Sequence, residues 1–563
     1  MWGPGTLEAK KPQTRAGLGQ RNLTSPALSP AGLSKLTRPK TNTKRAPIGS
    51  PLEEARSLFG AARMSEAAAT LDEAFSQGLA SDEAILLRGR LYLKKGKPSE
   101  AIALLTKALP KLRTSDRAEA NILLGASHAR VRDPGSARSR FAIAARELKA
   151  DSPRADQLRV ELACQSAAAF WIQRKVDEAS KELKPALEAR DAPSYVEALI
   201  LKSALYAARE RFENQASTLL EALRVTLAQP FRDVFAWGHI VSQLSILGRE
   251  LPNRSIRDAA FEQVDKVPWT EDLADQRFIA TKAVGWRRAL EGDYFNAFRY
   301  LKQAAACAHT VPWRVMASCD RAYLAARLGE TRWSEQELHE AAELAERVEW
   351  RAIDGEERVA LLLLAELYAP HDGALALSYV ARFQEIGDRF NAVLSFNADR
   401  RVDALVAYSL GYVRQHLGDS AEADEMYRKA FAIYDAIGYD WRAARAAIGL
   451  FQINGDRSWL DVAGKKLKPY PLSWLATRLS ALALSHHSSL VPEIESDARR
   501  RTTRELTPAQ QEVYELLLSG FPTRKIAKQL GRSEFTIRNH IKAIFKKLKV
   551  NSRAMLLSAA LRA

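Results

Sequence analysis

A recurring 36-residue pattern of small and large residues constrains the fold of this chain more than any other feature. In one copy, Gly89 lies in a predicted helix, Gly96 marks a turn, and Ala101, Leu105 and Ala108 follow at helical spacing. Because small residues let helices approach closely and one helix pair cannot bury its own apolar face, the pattern predicts stacked helix pairs. Related copies include Gly125, Ala137, Phe141 and Ala144; Gly285, Gly292, Ala297, Leu301 and Ala304; and Gly411, Gly418, Ala423, Tyr427 and Ala430.

This pattern resembles the tetratricopeptide (TPR) repeat, whose period is near 34 residues. It covers most of residues 51–480 and weakens around 225–275 and 350–395, so we expect roughly nine to eleven helix pairs, some of them irregular. The resemblance implies an all-α superhelical scaffold, and it does not identify a ligand.

Positive charge is concentrated at the two ends of the chain. Of the formal net charge of +17, residues 1–50 contribute +8 from nine Lys/Arg and one acid. Residues 506–563 contribute another +8 from eleven Lys/Arg and three acids. A near-neutral body with two basic ends favours contact with a polyanion, nucleic acid before an anionic membrane surface. Residues 1–50, rich in Pro, Gly, Ser and Thr, are predicted to be disordered. They could be an arm that touches DNA, a passive tail, or the product of a start codon assigned too far upstream.

The C-terminal residues 506–563 contain the signals of four short helices. Thr507, Pro508 and Gln510 form a predicted capping box with proline in the first turn. Further helices are predicted to start at Thr523, Ser533 and Ser552, with Gly531 in the tight turn before the third. A short helix, a glycine-containing turn and a longer amphipathic helix indicate a helix-turn-helix.

The stretch "LTPAQQEVYELLLSGFPTRKIAKQLGRSEFTIRNHIKAIFKKLKVNSR" resembles the LuxR-type (NarL/FixJ-like) DNA-binding domain over nearly its whole length. It departs from the family pattern at Tyr514, Arg532 and Lys549, none of which removes a structural element. The resemblance implies that the third helix, residues 533–549, enters the major groove and that the fourth often makes a dimer contact. A homodimer on an inverted repeat is expected, and a monomer remains open.

The third helix has two contrasting faces. Ile537, Ile541 and Ile544 belong to an apolar stripe, whereas the opposite side carries Arg538 and Lys542, beside Asn539. By resemblance the base-contacting positions fall on Arg538, Asn539 and Lys542, and these side chains suit guanine and adenine edges. A merely solvated face is the alternative. Phosphate contacts are expected from Thr523, Lys525, Thr536, Lys546 and Lys547.

The sequence offers little support for an enzyme. It contains no G-x-x-x-x-G-K-[ST], G-x-S-x-G or H-E-x-x-H motif. Cys164, Cys307 and Cys319 lack metal-ligand spacing, and His486 and His487 lie in a predicted linker, residues 481–505. We therefore expect no catalytic site, no cofactor and no metal. No apolar run of membrane-spanning length occurs, so we expect a cytoplasmic protein with no membrane partner.

Two hypotheses follow for function. The first is a bacterial transcriptional regulator that binds double-stranded DNA, while the repeat array senses an unknown small-molecule or protein partner. The alternative is a TPR interaction scaffold whose terminal module binds DNA non-specifically or docks a protein. A sequence preference that survives rising salt distinguishes the first from the second.

Overall fold

The fold is described from a computed structural model. The description covers residues 50–148, 153–230, 232–353, 356–391, 400–485, 506–518, 523–547 and 556. Within these ranges the chain forms 26 α-helices and a few 3₁₀ turns, and it forms no β-strand there. The expectation of an all-α protein is therefore confirmed.

The helices of the repeat array form eleven successive pairs, followed by a single helix. The pairs are α1 (Pro51–Gly60) with α2 (Met64–Ser76), α3 (Asp82–Lys94) with α4 (Pro98–Ala108), α5 (Thr114–Arg130) with α6 (Pro134–Glu147), α7 (Pro153–Ile172) with α8 (Val176–Glu188), α9 (Tyr195–Ala208) with α10 (Phe212–Ala228), α11 (Val234–Glu250) with α12 (Arg254–Val264), α13 (Ala274–Leu290) with α14 (Tyr294–Cys307), α15 (Val311–Arg327) with α16 (Thr331–Ala345), α17 (Val359–Tyr368) with α18 (Gly373–Asn391), α19 (Arg400–Leu417) with α20 (Ser420–Ala436), and α21 (Asp440–Asn454) with α22 (Ser458–Leu467). Helix α23 spans Trp474–Ser485.

Each clear repeat packs a glycine of its first helix against a large side chain sixteen residues later. A Cβ atom placed on Gly125 would lie only 2.5 Å from Cε1 of Phe141. The corresponding distance from Gly89 to the Leu105 side chain is 3.0 Å. The same approach joins Gly285 to Leu301 and Gly411 to Tyr427. These contacts confirm that the repeat signal encodes close TPR-like pairing of helices.

The pattern weakens where the stack becomes irregular. A 3₁₀ turn at Glu271–Leu273 precedes α13, and two more, Trp350–Ala352 and Glu356–Arg358, separate α16 from α17. Both positions fall in the segments where the sequence repeat is hard to follow. The drift in sequence therefore reflects longer, differently shaped connections, and the helix pairs themselves continue through it.

The stack curves until residues about 200 positions apart touch. The Asp272 carboxylate accepts hydrogen bonds from the backbone N–H groups of Met64 at 2.7 Å and Ser65 at 3.2 Å, at the start of α2. Further along, the Tyr294 hydroxyl donates to the Leu472 carbonyl at 3.2 Å. Such contacts join helices several pairs apart in the chain, in addition to the contacts between neighbouring pairs.

A buried charge cluster adds to these long-range contacts. Glu250 at the end of α11 is 1% exposed, and its carboxylate accepts two hydrogen bonds of 2.8 Å from Arg442 on α21. It also accepts bonds from Trp441 at 2.9 Å and from Arg249 at 2.8 Å. Burial alone would raise the pKa of Glu250, but the two guanidinium groups outweigh it and lower the pKa to about 2.

The C-terminal helices have a hydrophobic core of their own. They are α24 (Pro508–Leu518), α25 (Thr523–Gln529) and α26 (Glu534–Lys547). Their core consists of Leu506, Val513, Tyr514, Leu517, Ile526, Ala527, Ile537, Ile544 and Leu556. A separate core is what lets so short a segment hold its helices in place. Among the described helices of the whole chain, none is both long and apolar enough to cross a bilayer.

Candidate nucleic-acid interface

The first helix of the C-terminal module starts at the capping box expected from the sequence. The backbone N–H of Gln510 donates to Oγ1 of Thr507 at 3.3 Å, and the backbone N–H of Thr507 donates to Oε1 of Gln510 at 3.2 Å. Pro508 occupies the first helical position. Two backbone donors that the helix leaves free are thus satisfied reciprocally, which fixes where α24 begins.

The turn between α25 and α26 gives the module its helix-turn-helix geometry. Gly531 has a φ of +59°, in the left-handed region where a side chain would be strained. Two residues later Ser533 caps α26, because its Oγ accepts the backbone N–H of Thr536 at 3.1 Å. The predicted turn and the predicted start of the third helix are therefore both present.

The inner face of α26 fixes the rotation of the helix. Ile537 and Ile544 are fully buried, while Ile541 and Phe545 are half-buried and pack against the same core. The spacing of seven residues between the two buried isoleucines equals two helical turns, so one stripe faces α24 and α25. The opposite side must then face away from the module.

That outer side carries the three predicted base-contacting residues. Arg538, Asn539 and Lys542 are all exposed, and Lys546 continues the same basic row. Steps of four residues place Arg538, Lys542 and Lys546 along one line of the helix surface. The structure therefore groups these side chains on one accessible face, and their contact with bases stays a prediction.

Arg538 also has an acidic neighbour on its own helix. Its Nη2 lies 3.4 Å from Oε2 of Glu534, and Arg524 of α25 approaches the same carboxylate at 3.9 Å. The Arg538 side chain is 70% exposed, so solvent screens this ion pair and it holds the guanidinium only weakly. Arg538 can therefore turn to another acceptor at little cost.

The predicted phosphate-contacting residues come from both α25 and α26. Thr536 is half-buried with its hydroxyl 2.8 Å from Oγ of Ser533, and Thr523 begins α25. Lys547 is exposed and donates to Oε1 of Gln510 at 2.9 Å. Lys525 lies in the first turn of α25, and its side chain is outside the described part of the structure.

Two side chains on this surface were missed by reasoning from the sequence. Phe535, the second residue of α26, is 74% exposed although it is aromatic and apolar. The side chain of Arg524 is 92% exposed and adds a positive charge beside the start of α26. The exposure of Phe535 could have been predicted from its position in the helix. The apolar stripe of α26 begins at Ile537, and Phe535 does not lie on that stripe.

Other expectations for this module fall partly outside the described residues. Of the fourth predicted helix, residues 552–562, only Leu556 is described; it is helical and buried in the module core. Lys549, the linker beyond Ser485 and residues 1–49 also lie outside the description. In the ranges that are described, no group of three His, Cys, Asp or Glu side chains could hold a metal ion.

Comparison with known proteins supports the identification of this module. The family described as "Bacterial regulatory proteins, luxR family" matches residues 504–560. The spore germination protein GerE of Bacillus subtilis is 42% identical over 57 residues, which are 10% of this chain and 77% of GerE. The nitrate/nitrite response regulator protein NarL of Escherichia coli is 36% identical over 53 residues, 9% of this chain. The chain spans only 24% of the length of NarL.

Among solved structures, the helical array is similar to the APC/C hetero-tetramer Cut9-Hcn1. The match covers 74% of this chain and 97% of the other, at 12% identity and a TM-score of 0.25.

Proposed function

Because this chain belongs, through residues 504–560, to the luxR family of bacterial regulatory proteins, we propose that it is a DNA-binding transcriptional regulator. In this proposal α26 enters the major groove and reads base edges. The repeat array senses a small-molecule or protein partner, and two copies bind an inverted repeat. The proposal keeps the division into a tail (1–50), an array (51–480), a linker (481–505) and a DNA-binding domain (506–563).

The observation that carries the proposal is the fixed rotation of α26. Ile537 and Ile544 lock one side of the helix into the module, so Arg538, Asn539 and Lys542 are presented together on the other. Arginine and lysine pair with guanine O6 and N7, and asparagine pairs with adenine N6 and N7. The outer face therefore combines donors for purine edges with accessibility to the groove.

The surrounding residues would position the helix on the DNA backbone. Thr523, Lys525, Thr536, Lys546 and Lys547 flank the reading residues and are assigned to phosphates, which set register without specifying sequence. Phe535 adds an apolar surface of the kind that contacts the methyl group of thymine.

Selection of genomic DNA fragments by the purified full-length protein tests this function. The intact protein should enrich an inverted repeat with half-sites about 10 bp apart, one turn of DNA. Arg538→Ala should cost about 1–3 kcal/mol at one base position and relax the preference there. Lys546→Ala should weaken binding to all sequences alike and reduce its salt dependence.

Lys429→Ala provides the matched control, because Lys429 is an exposed lysine of the array and its loss removes the same charge. This variant should enrich the same fragments as the intact protein. If no inverted repeat emerges and Arg538→Ala leaves the enrichment unchanged, the regulator hypothesis fails. Salt-sensitive binding without any preference would instead support the scaffold alternative.

A further inference from the structure

A cavity with both polar and apolar walls lies among the first helices of three successive pairs in the array. Helices α15, α17 and α19 pack side by side, and with α16 they line a cavity of about 180 Å³ that is partly open to solvent. Its walls include Arg327, Ser334, Leu338, Glu366, Leu367 and Tyr412. A cavity of about 150 Å³ is enough to hold a benzene molecule, so this one has room for a ligand built on a single ring.

A second, narrower cavity adjoins the first and contains further cationic side chains. Tyr323, Arg327 and Tyr412 line both cavities. The narrower one also reaches Arg445 on α21 and Arg478 on α23. Helices of four consecutive pairs and α23 thus contribute side chains to one polar region.

The two arginines at the centre of this region differ in their partners. Arg445 donates to Oε2 of Glu366 at 2.8 Å, so its charge is neutralised inside the protein. Arg327 has no carboxylate within ion-pair distance among the residues that the structure describes, and its Nη2 donates only to the Tyr323 hydroxyl at 3.0 Å. An arginine remains charged at every physiological pH, so Arg327 leaves a positive charge and several N–H donors facing the cavity.

The Tyr323 hydroxyl adds a donor at the same place. It accepts hydrogen bonds from Arg327 at 3.0 Å and from Arg445 at 2.6 Å. Two incoming bonds occupy the two lone pairs of a phenol oxygen, so its own proton is left to donate elsewhere. The cavity therefore offers an O–H donor beside an uncompensated guanidinium.

The remaining walls define the rest of the ligand. Arg327 lies 5.5 Å from the ring centroid of Tyr412, and Leu338 and Leu367 supply apolar surface. Of the two carboxylates on the wall, Glu366 accepts hydrogen bonds from Arg445 and from the Ser409 hydroxyl, and Glu335 is exposed to solvent. The interior thus combines positive charge with flat, apolar walls.

We propose that this cavity binds a small organic oxyanion with a single planar ring, its carboxylate or phosphate held by Arg327 and Tyr323. The inference rests on the proposed function, in which the array senses a partner, and gives that partner a chemistry. The anionic group would pair with Arg327 as the Glu366 carboxylate pairs with Arg445, and the ring would lie against Tyr412.

Titration calorimetry and thermal unfolding of the full-length protein test this site with defined probes. Benzoate and phenyl phosphate carry the two candidate head groups, and benzyl alcohol provides an uncharged ring of the same size. At least one of the two anions should bind and raise the melting temperature, whereas benzyl alcohol should not. The tighter of the two identifies the head group.

Arg327→Gln should weaken binding of that anion about 10- to 100-fold, the loss of a charge-assisted hydrogen bond. Arg332→Gln is the matched control, because Arg332 is exposed on α16 outside both cavities, and it should bind as the intact protein does. Arg327→Lys retains the charge, and with it the fold, but loses the planar fork. It should also bind measurably more weakly.

Three outcomes would overturn the site: no binding of either anion, equal binding of benzyl alcohol, or unchanged binding by both Arg327 variants. These results are independent of the DNA experiment. Failure to enrich an inverted repeat would refute the regulator while leaving anion binding intact. If the protein enriches an inverted repeat but binds neither anion, only the ligand site is refuted.

Discussion

The close approach of Gly125 and Phe141 predicts what a single methyl group does to the array. In Gly125→Ala the new Cβ would lie 2.5, 2.6 and 2.9 Å from three atoms of the Phe141 ring, well inside van der Waals contact. The ring is 7% exposed and has little room to move. Overpacking costs about 1–3 kcal/mol, and we place this clash near 3 because rigid ring atoms are involved. Alanine regains about 1 kcal/mol of helix propensity over glycine. The expected net loss is therefore about 2 kcal/mol.

Urea unfolding followed by circular dichroism, together with amide exchange of peptides from α5 and α6, measures this loss. Phe141→Leu gives the second repeat a leucine, as the first repeat has at Leu105. There, a Cβ atom placed on Gly89 would lie farther from the facing side chain, at 3.0 Å. The double variant should therefore be more stable than the sum of its two single changes predicts. Gly60→Ala is the control, because a Cβ atom there would meet no other atom within 4 Å. Additive single effects, or a Gly125→Ala protein as stable as the original, would refute the packing argument.

Three further predictions concern charge, the DNA-reading face and the helix cap. The pKa of Glu250 is lowered in the folded state to about 2, so its contribution is complete above its unfolded pKa of about 4.3 and is lost as pH falls toward 2. Glu250→Gln should lower stability at pH 7 by about 3–5 kcal/mol and flatten the acid side of the stability profile; urea midpoints from pH 3 to 7 check this. Phe535→Ala should change base preference at one position and leave the salt slope of DNA binding unaltered, which fragment selection at two salt concentrations would reveal. Thr507→Ala should cost about 1 kcal/mol at the start of α24, visible as faster amide exchange there while the array exchanges as before.

Much of the fold could be predicted because its signals are local. The glycine of each first helix and the large residue of the second are sixteen positions apart, so one window of sequence contains both partners. The capping box of Thr507 and Gln510 and the turn at Gly531 are equally local, and both are present in the structure. The rotation of α26 followed from its apolar stripe.

What the sequence could not provide depends on how the pairs stack. The bond between Asp272 and Met64 joins residues 208 positions apart, and its partners are fixed by the curvature summed over several pairs. The cavity around Arg327 has the same origin, since Tyr323, Glu366 and Tyr412 come from three different helices. No periodic pattern in the sequence predicts that Arg327 has no carboxylate partner among the described residues, because that depends on which side chains the assembled helices bring near it.

The long-range contacts have a consequence for how this array can change in evolution. In an open solenoid each repeat touches only its neighbours, so a repeat can be gained or lost with local effect. Here, removing one pair between Met64 and Asp272 would displace the later pairs relative to the earlier ones. Asp272 would then no longer meet the start of α2. The contact between Glu250 and Arg442 constrains the number of pairs between these two residues in the same way. Viable length variants of this protein should therefore gain or lose helix pairs at the ends of the array, or exchange whole turns, while single-pair changes in its interior are selected against.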